Sequence, residues 1–236
     1  MALLKNIRKD LKSLADPAKA KDLQWFFKTG PGEYGFGDKF MGITNPKLRV
    51  LAKKHYESID FKDLKLMLSS KFHEERLLAI FILVLKYKKA NLAQQKRIYN
   101  FYFANVSGVN NWDLVDQSAY HLIGAYLFDK DKSFLYKLVK SKSLWRRRIA
   151  IIATLYFIRN DDFDDALKLA TELLNDKEDL MHKATGWVLR EVGKRDFKAL
   201  TSYLSRHYQS MPRTMLRYAI ERFPEKLRKA YLHGKV

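Results

Sequence analysis

The segment NNWDLVDQS, residues 110 to 118, places a tryptophan and two aspartates on one stretch of predicted helix. Trp112 and Asp116 are four residues apart and so share a helix face, and the segment holds no basic residue. This is unusual in a chain with 45 Lys and Arg against 26 Asp and Glu. In such a cationic protein, a carboxylate beside an indole can stabilise positive charge that develops on a bound ligand.

Two further tryptophans stand one helical turn from basic residues. Trp145 is spaced in this way from Arg148, and Trp187 from Arg190 and Lys183. Indoles can pack on sugar and backbone while guanidinium and ammonium groups hold phosphates. The alternative is that each indole belongs to the hydrophobic core, because large aromatic side chains supply much of any core. The threefold pattern favours a binding surface.

The two aspartates of the segment need separate interpretations. Asp113 falls in the first helical turn, where a carboxylate offsets the helix dipole and satisfies free amides. Asp116 lies one turn further on, beyond the reach of capping. Breaking an N-glycosidic bond gives the deoxyribose oxocarbenium character, and a carboxylate at this place would stabilise that charge. The structural alternative is an internal salt bridge from Asp116 to Arg146 or Arg148.

The composition points to an anionic partner. The 236 residues carry a formal net charge of +19, which concentrates phosphate-bearing polymers at the surface. Nucleic acid is the first candidate, and an anionic membrane is the second. The longest apolar run, IAIIATLYFI at 149 to 158, is too short to span a bilayer, and the N-terminal residues do not resemble a secretory signal. We therefore expect a cytoplasmic protein without a membrane partner.

Thiol and metal chemistry are not expected. The absence of cysteine excludes disulfides, thiolate catalysis and Cys-ligated zinc, and the six histidines are scattered without ligand spacing. The stretch GPGEYG at 30 to 35 matches G-x-G-x-x-G formally. No predicted strand precedes it and Pro31 interrupts it, so a flexible connection is expected instead of a phosphate-binding loop.

Apolar residues recur with helical spacing along nearly the whole chain, which predicts an all-α protein. The predicted helices span about residues 2 to 15, 17 to 28, 46 to 57, 60 to 69, 73 to 89, 92 to 107, 111 to 127, 131 to 140, 143 to 159, 162 to 175, 178 to 194, 196 to 209 and 212 to 232. Start signals come from prolines that suit a first turn and polar residues that suit an N-cap, namely Pro17, Pro46, Pro212, Asp60, Asn111 and Asp196. Pro224 is expected to kink or split the last helix.

Helices come in pairs from about residue 60, and the second members resemble one another: EERLLAIFILVLKY, VDQSAYHLIGAYLF, WRRRIAIIATLYFI, MHKATGWVLREV and RTMLRYAIERF. Their recurrence about every 30 to 40 residues is near the period of HEAT-type repeats. This predicts one domain over 1–236, with N-terminal helices to about 57 and a solenoid of repeats whose second helices line a concave basic groove. A compact helical bundle is the alternative.

The segments NNWDLVDQS, SLWRRRIAI and ATGWVLREVGK resemble, in order and spacing, three signature segments of the AlkD family of bacterial DNA alkylation-repair glycosylases. The stretch KFMGITNPKLRVLAKK resembles that family's N-terminal segment, and the resemblance runs from about residue 20 to 225. It implies a HEAT-like solenoid that binds duplex DNA and excises cationic N3- and N7-alkylated purines. It also implies a monofunctional enzyme that uses no metal or cofactor, and we expect it to act as a monomer.

The resemblance assigns roles by position. Asp116 matches the catalytic carboxylate, Trp112 and Trp187 match the indoles that flank the sugar and backbone of the lesion, and Arg148 matches the phosphate-binding arginine. Arg190 matches another basic residue of that site. Lys183 and Trp145 are further DNA-binding candidates from their spacing.

The second helix departs from the family pattern. The family commonly has a tyrosine there, whereas this chain reads QWFFK, so that Phe26 or Trp25 takes the place without a hydroxyl group. A noncatalytic DNA-binding module that recognises damaged or distorted duplex is therefore the alternative function, and a solenoid that binds acidic proteins is a third. Asp116 favours the glycosylase, because a binding module gains nothing evident from a carboxylate between indoles.

Overall fold

The computed structural model describes residues 2–236, and the chain divides after Ser118 into two compact units. We call them the N-terminal unit and the C-terminal unit. No strand forms among the described residues apart from an isolated bridge between Lys39 and Phe72, so the all-α prediction is confirmed. None of the described helices combines the length and apolar character that crossing a bilayer requires.

The N-terminal unit is built around one buried helix. Its helices are α1 (Ala2–Ser13), α2 (Pro17–Phe26), α3 (Asn45–His55), α4 (Phe61–Leu68), α5 (His73–Lys89), α6 (Leu92–Ala104), a 3₁₀ turn (Val106–Gly108) and α7 (Trp112–Asp116). Helix α5 packs against α3, α4, α6 and α7. Its residues are buried almost continuously from His73 to Val84, as expected for a helix that is covered on all sides.

The C-terminal unit repeats a helix pair. Its elements are a π-helix (Ala119–Gly124), α8 (Ala125–Leu127), α9 (Ser133–Val139), α10 (Leu144–Arg159), α11 (Asp164–Glu172), α12 (Asp179–Arg195), α13 (Phe197–His207), α14 (Arg213–Ala219) and α15 (Glu225–Leu232). Helix α10 packs on α12, and α12 packs on α14. The second members of the predicted helix pairs are therefore stacked in chain order in this unit.

Two glycines allow the close approach of stacked helices in the C-terminal unit. A Cβ atom at Gly124 would lie 2.1 Å from the carbonyl oxygen of Ala153 in α10. A Cβ atom at Gly186 in α12 would lie 2.5 Å from the carbonyl oxygen of Met215 in α14. Because each glycine lacks a Cβ atom, the backbones of the two stacked helices can come this close together.

Most predicted helix ends are confirmed, together with the signals that predicted them. Pro17 opens α2, and the Asp60 and Asp196 carboxylates accept hydrogen bonds from the amides of Asp63 and Ala199. Pro224 separates α14 from α15. Pro212 lies just outside α14, at its N-cap position, instead of within the first turn.

The prediction of one helix over 111 to 127 is wrong, because α7 ends at Asp116. The hydroxyl of Ser118 donates to the carbonyl oxygens of Leu114, at 2.6 Å, and Val115, at 3.2 Å. Such side-chain bonds occupy carbonyls that a continuing α-helix would use. A π-helix follows from Ala119, and π-turns are common near functional sites.

The glycine-rich segment after α2 is fixed by a buried carboxylate at its far end. Glu74 accepts hydrogen bonds from the amides of Met41, Gly42 and Ile43, with the shortest at 2.8 Å from Gly42. Gly42 has a positive φ of 81°, and a Cβ there would lie 2.1 Å from the Asp16 carbonyl oxygen. Residues 41 and 42 thus contact the residue before α2, and the Asp16 amide donates to the Met41 carbonyl oxygen at 2.8 Å.

Replacing Glu74 by Gln should lower the free energy of unfolding by about 2 kcal/mol, because the amide nitrogen would leave buried backbone donors without an acceptor. Urea denaturation followed by circular dichroism measures this change. The control is Glu57→Gln, which makes the same chemical change at an exposed side chain of the same unit. Equal stability losses in the two variants would contradict the assigned role of Glu74.

Candidate functional site

Helix α7 carries both residues of the predicted chemical pair. Trp112 is its first residue and Asp116 its last, and both side chains are half-buried. The helix begins at Asn111, whose buried side chain accepts a hydrogen bond of 2.8 Å from the Trp112 amide. The predicted N-cap at Asn111 is thereby confirmed. Its hydrogen bond fixes the backbone at Trp112, from which the indole side chain extends.

A cluster of rings supports the indole of Trp112, in which Phe27, Phe40 and the His73 imidazole contact one another with centroids 4.6 to 5.0 Å apart. Phe27 stacks on Trp112 with centroids 5.1 Å apart and planes 11° apart. Phe40 stacks on Phe27 at 4.9 Å, and the His73 imidazole stacks on Phe40 at 4.6 Å. Phe26 meets Trp112 edge-on at 6.1 Å. Because aromatic pairs favour these offset and edge-to-face arrangements, the ring cluster restricts the orientation of the indole.

The His73 member of this ring cluster belongs to a buried polar cluster. His73 contacts Asp38 through Nδ1, at 3.2 Å, and Asp113 through Nε2, at 2.8 Å. Arg76 donates to the other oxygen of Asp38 at 2.8 Å, and Asn111 donates to Asp38 at 3.1 Å. Two carboxylates, one guanidinium and one imidazolium balance in charge, which makes their joint burial tolerable.

The imidazole of His73 is held in its protonated form. Burial by itself would lower its pKa, but the charge and hydrogen bond of Asp113, with a hydrogen bond to Asp38, raise the pKa of His73 to about 9. Burial likewise opposes ionisation of Asp38. The hydrogen bond to His73 and the charge of Arg76 outweigh it, so the pKa of Asp38 lies below its usual value.

Asp113 therefore has a second role beside the predicted one. It does lie in the first turn of α7, where the helix dipole favours a carboxylate, and it accepts a hydrogen bond from the Leu114 amide. Its side chain is buried, and its other oxygen binds His73. No local sequence signal indicates this pair, because His73 and Asp113 are 40 residues apart in the chain.

The end of α7, where Asp116 lies, is anchored by its neighbours. Gln117 accepts a hydrogen bond of 2.7 Å from Arg49, whose guanidinium lies over the Phe81 ring at 4.2 Å. The hydroxyl of Ser118 is 2.9 Å from that of the buried Tyr102. The two residues that follow Asp116 are thus each held by a side chain from another helix.

A cleft of about 370 Å³ opens beside Trp112 within the N-terminal unit. Its walls are aromatic and its rim is polar, and the residues that define it here are Phe26, Phe40, Trp112, Lys19, Asn45 and Gln117. We call it the aromatic cleft. Its volume falls within the range of about 300–1,000 Å³ that is typical of small-molecule sites. Phe26, which is 55% exposed, borders the cleft with its ring edge against the indole.

The remaining predicted residues lie on two helices of the C-terminal unit. Trp145 is half-buried in the first turn of α10. Arg148, on the same helix, is 5% exposed and donates to the Leu180 carbonyl oxygen at 2.6 Å. Arg148 therefore has a structural anchor that the sequence did not indicate.

Helix α12 carries Lys183, Trp187 and Arg190, each with a carboxylate nearby. Lys183 pairs with Asp179 at 2.7 Å, and the indole nitrogen of Trp187 donates to Glu191 at 3.2 Å. Arg190 forms an ion pair with Glu221, and its Nε lies 3.7 Å from Glu191. Sequence reasoning missed Glu191 and Glu221, although Glu191 is four residues from Trp187 and so shares its helix face.

The protonation of His73 should make stability depend on pH. In the unfolded chain His73 loses its proton near pH 6.5, whereas in the folded chain it keeps it to about pH 9. The stabilisation is therefore complete below pH 6.5 and is lost as the pH rises to about 9, by roughly 3 kcal/mol. Urea denaturation across this range measures the loss.

The variant His73→Gln supplies the comparison, because it keeps a polar side chain without a titrating ring. We expect its stability to change much less between pH 6.5 and 9. Parallel pH profiles for the variant and the unmodified protein would contradict a protonated His73.

Comparison with known proteins identifies the family. The model of a family described as "DNA alkylation repair enzyme" matches residues 7–223. None of the curated proteins compared matches the chain. A solved structure from Enterococcus faecalis, titled a predicted DNA alkylation repair enzyme, has a TM-score of 0.68 at 17% identity, over 89% of this chain and 97% of that chain.

Two structures from Streptococcus mutans are also similar. The protein smu.31 of strain UA159 has a TM-score of 0.55 at 19% identity, over 76% of this chain and 92% of its own. AlkD2 has a TM-score of 0.54 at 19% identity, over 88% of this chain and 98% of its own. At these identities the three structures establish a shared helical fold. Because the family model spans nearly the whole sequence, the chain belongs to the DNA alkylation repair enzyme family.

Proposed function

We propose that the protein is a monofunctional DNA glycosylase that hydrolyses the N-glycosidic bond of N3- and N7-alkylated purines in duplex DNA. Family membership supports a repair enzyme. The observation that carries the finer proposal is α7, which presents an indole locked by a ring stack at one end and a carboxylate at the other. Trp112 can then pack against the deoxyribose, while the Asp116 carboxylate can stabilise positive charge on that sugar.

The chemistry needs only one charged group from the protein. An N3- or N7-alkylpurine already carries a positive charge, so when the bond from C1′ to the base breaks, the base takes the electron pair and leaves neutral. The sugar is left with oxocarbenium character. Asp116 stabilises that charge electrostatically, and a water molecule then adds to C1′ and releases a proton.

The aromatic residues support this role of Asp116. The face of Trp112 that is not covered by Phe27 can pack against the deoxyribose, with Phe26 beside it. Apolar rings exclude water, and an electrostatic interaction strengthens where water is excluded. Phe26 supplies the ring of the family position but no hydroxyl group, so it can contribute packing and not a hydrogen bond.

The basic residues of the C-terminal unit bind the DNA backbone in this proposal. Lys183, Arg190 and Arg148 contact phosphates, and Trp145 and Trp187 pack against sugars. The carboxylates that now pair with Lys183 and Arg190 exchange for phosphate oxygens on binding. We further propose that the chain works as one HEAT-like domain and a monomer, without metal or cofactor, on the chromosomal DNA of the cytoplasm.

The change Asp116→Asn should abolish most excision of 7-methylguanine while the affinity for DNA stays the same or rises, because a negative charge is lost without a change in shape. Single-turnover release of free base from a duplex with one lesion measures excision, and fluorescence anisotropy measures binding. Asp129→Asn, at an exposed aspartate, is the matched control and should excise normally.

The same assay separates the glycosylase from a noncatalytic module. Base release by Asp116→Asn at the rate of the unmodified protein would refute the assigned role of Asp116. Tight binding of the lesion duplex with no base release by the unmodified protein would favour the noncatalytic alternative, for which the missing hydroxyl at Phe26 is the motivating observation.

The change Lys183→Gln should weaken binding to all duplexes alike and reduce the salt slope of the binding constant by roughly 1, as expected for one lost phosphate contact. Lys168→Gln is the control, because Lys168 is also paired with an aspartate one helical turn away. Binding titrations at several salt concentrations compare the two. An equal slope in both variants would argue against a phosphate contact at Lys183.

A further inference from the structure

A second cluster of cations lies far along α5 from the polar cluster at its first turn. Lys86 and Lys89 in the last turn of α5 border a cleft together with Arg97 of α6. The cleft has a volume of about 250 Å³ and is also lined by Tyr56 and Phe61. We call it the α5–α6 cleft. All of its residues belong to the N-terminal unit.

The three cations of the α5–α6 cleft form no ion pair with a carboxylate of the described residues. None of the ion pairs formed by the described residues includes Lys86, Lys89 or Arg97. Other cations of the same unit, such as Lys54 with Asp10, are paired. Three cations border one cleft, and an anion that binds there would interact favourably with each of them.

The guanidinium of Arg97 is positioned in advance. It lies over the Phe61 ring at 4.7 Å, and Phe61 is itself packed against Phe101 at 4.8 Å. A guanidinium stacked on a ring keeps its N–H donors directed outward in its own plane, where they can meet two oxygens of one phosphate. A guanidinium held in this way binds a phosphate through two directed hydrogen bonds, whereas a lysine ammonium acts as a point charge.

Lys86 shows that the cleft removes water from its ammonium group. Burial is the largest influence on its pKa and lowers it, although the charges of Asp60 and Glu57 act in the opposite direction. Glu57 also borders the cleft and accepts a hydrogen bond from the Tyr56 hydroxyl. The three cations still outnumber the two carboxylates, so the local charge favours an anion.

We propose that Lys86, Lys89 and Arg97 form a second phosphate-binding site, which holds a backbone phosphate of duplex DNA at the junction of α5 and α6. The α5–α6 cleft shares no lining residue with the aromatic cleft, so its charge is available in addition to the residues assigned to excision. The site rests on the proposed function only in that the phosphate belongs to DNA. It would anchor the duplex without taking part in the chemistry.

The test compares two double variants of exposed residues. Lys89→Gln with Arg97→Gln removes two charges from the cleft, and Lys88→Gln with Lys96→Gln removes two charges from the same helices outside it. We expect the first to bind an undamaged duplex about tenfold more weakly than the second, with a salt slope smaller by roughly 1 to 2. Thermal denaturation confirms that both variants fold.

A second measurement separates DNA from a small phosphorylated ligand. Pyrophosphate should shift the side-chain N–H signal of Arg97 in ¹H–¹⁵N spectra of the unmodified protein, and undamaged duplex should shift it too. A shift with pyrophosphate but equal duplex affinity of the two double variants would overturn the assignment to DNA. The absence of both effects would overturn the site itself.

These outcomes are distinct from those that test the glycosylase. Base release from a lesion duplex at saturating protein should be unchanged in the Lys89→Gln and Arg97→Gln variant. Absence of base release by the unmodified protein would remove the glycosylase proposal but leave both binding measurements intact. A loss of base release at saturation in this variant would contradict a site that only anchors the duplex.

Discussion

The first turn of α5 is the constraint on which the N-terminal unit depends. Four successive ionisable residues, His73 to Arg76, are all buried there. His73 and Arg76 bind Asp38, Glu74 holds the amides of residues 41 to 43, and Glu75 binds Arg8 of α1. Burying four ionisable groups is costly unless each has its partners, so α1, the turn at 41 to 43 and α7 must be in place together. A single helical turn thereby fixes segments that are far apart in sequence.

The position of Trp112 follows from this turn of α5 by two routes. Glu74 fixes Gly42, whose close approach to Asp16 sets the start of α2, and α2 leads directly to Phe27. His73 binds Asp113 next to the indole and also packs against Phe27 and Phe40 of the ring cluster. The rings that support Trp112 are therefore tied to hydrogen-bonded groups of α5. A site that must match a transition state needs such support, because small displacements of its groups weaken catalysis strongly.

The helices could be predicted from the sequence because their signals are local. Periodic apolar residues, Pro17 and the caps at Asp60 and Asp196 act over a few residues, and the structure confirms them. The break after Asp116 was missed because it depends on the Ser118 hydroxyl and its contact with Tyr102. The pairing of His73 with Asp113 was missed for the same reason, since it joins separate helices. The types of the site residues were thus visible in the sequence, whereas their partners required the fold.

The paired and unpaired cations of the protein have different consequences for DNA binding. Lys183 and Arg190 are held by carboxylates, so a phosphate that binds them must displace an existing partner and gains only the difference between two similar interactions. Such residues therefore add less net affinity than a cation outside any ion pair would. Lys86, Lys89 and Arg97 take part in none of the ion pairs of the described residues, so a phosphate that binds there displaces no ion-pair partner. A net charge of +19 therefore overstates the attraction at the paired residues, and affinity should depend most on the cations that the fold leaves without a carboxylate.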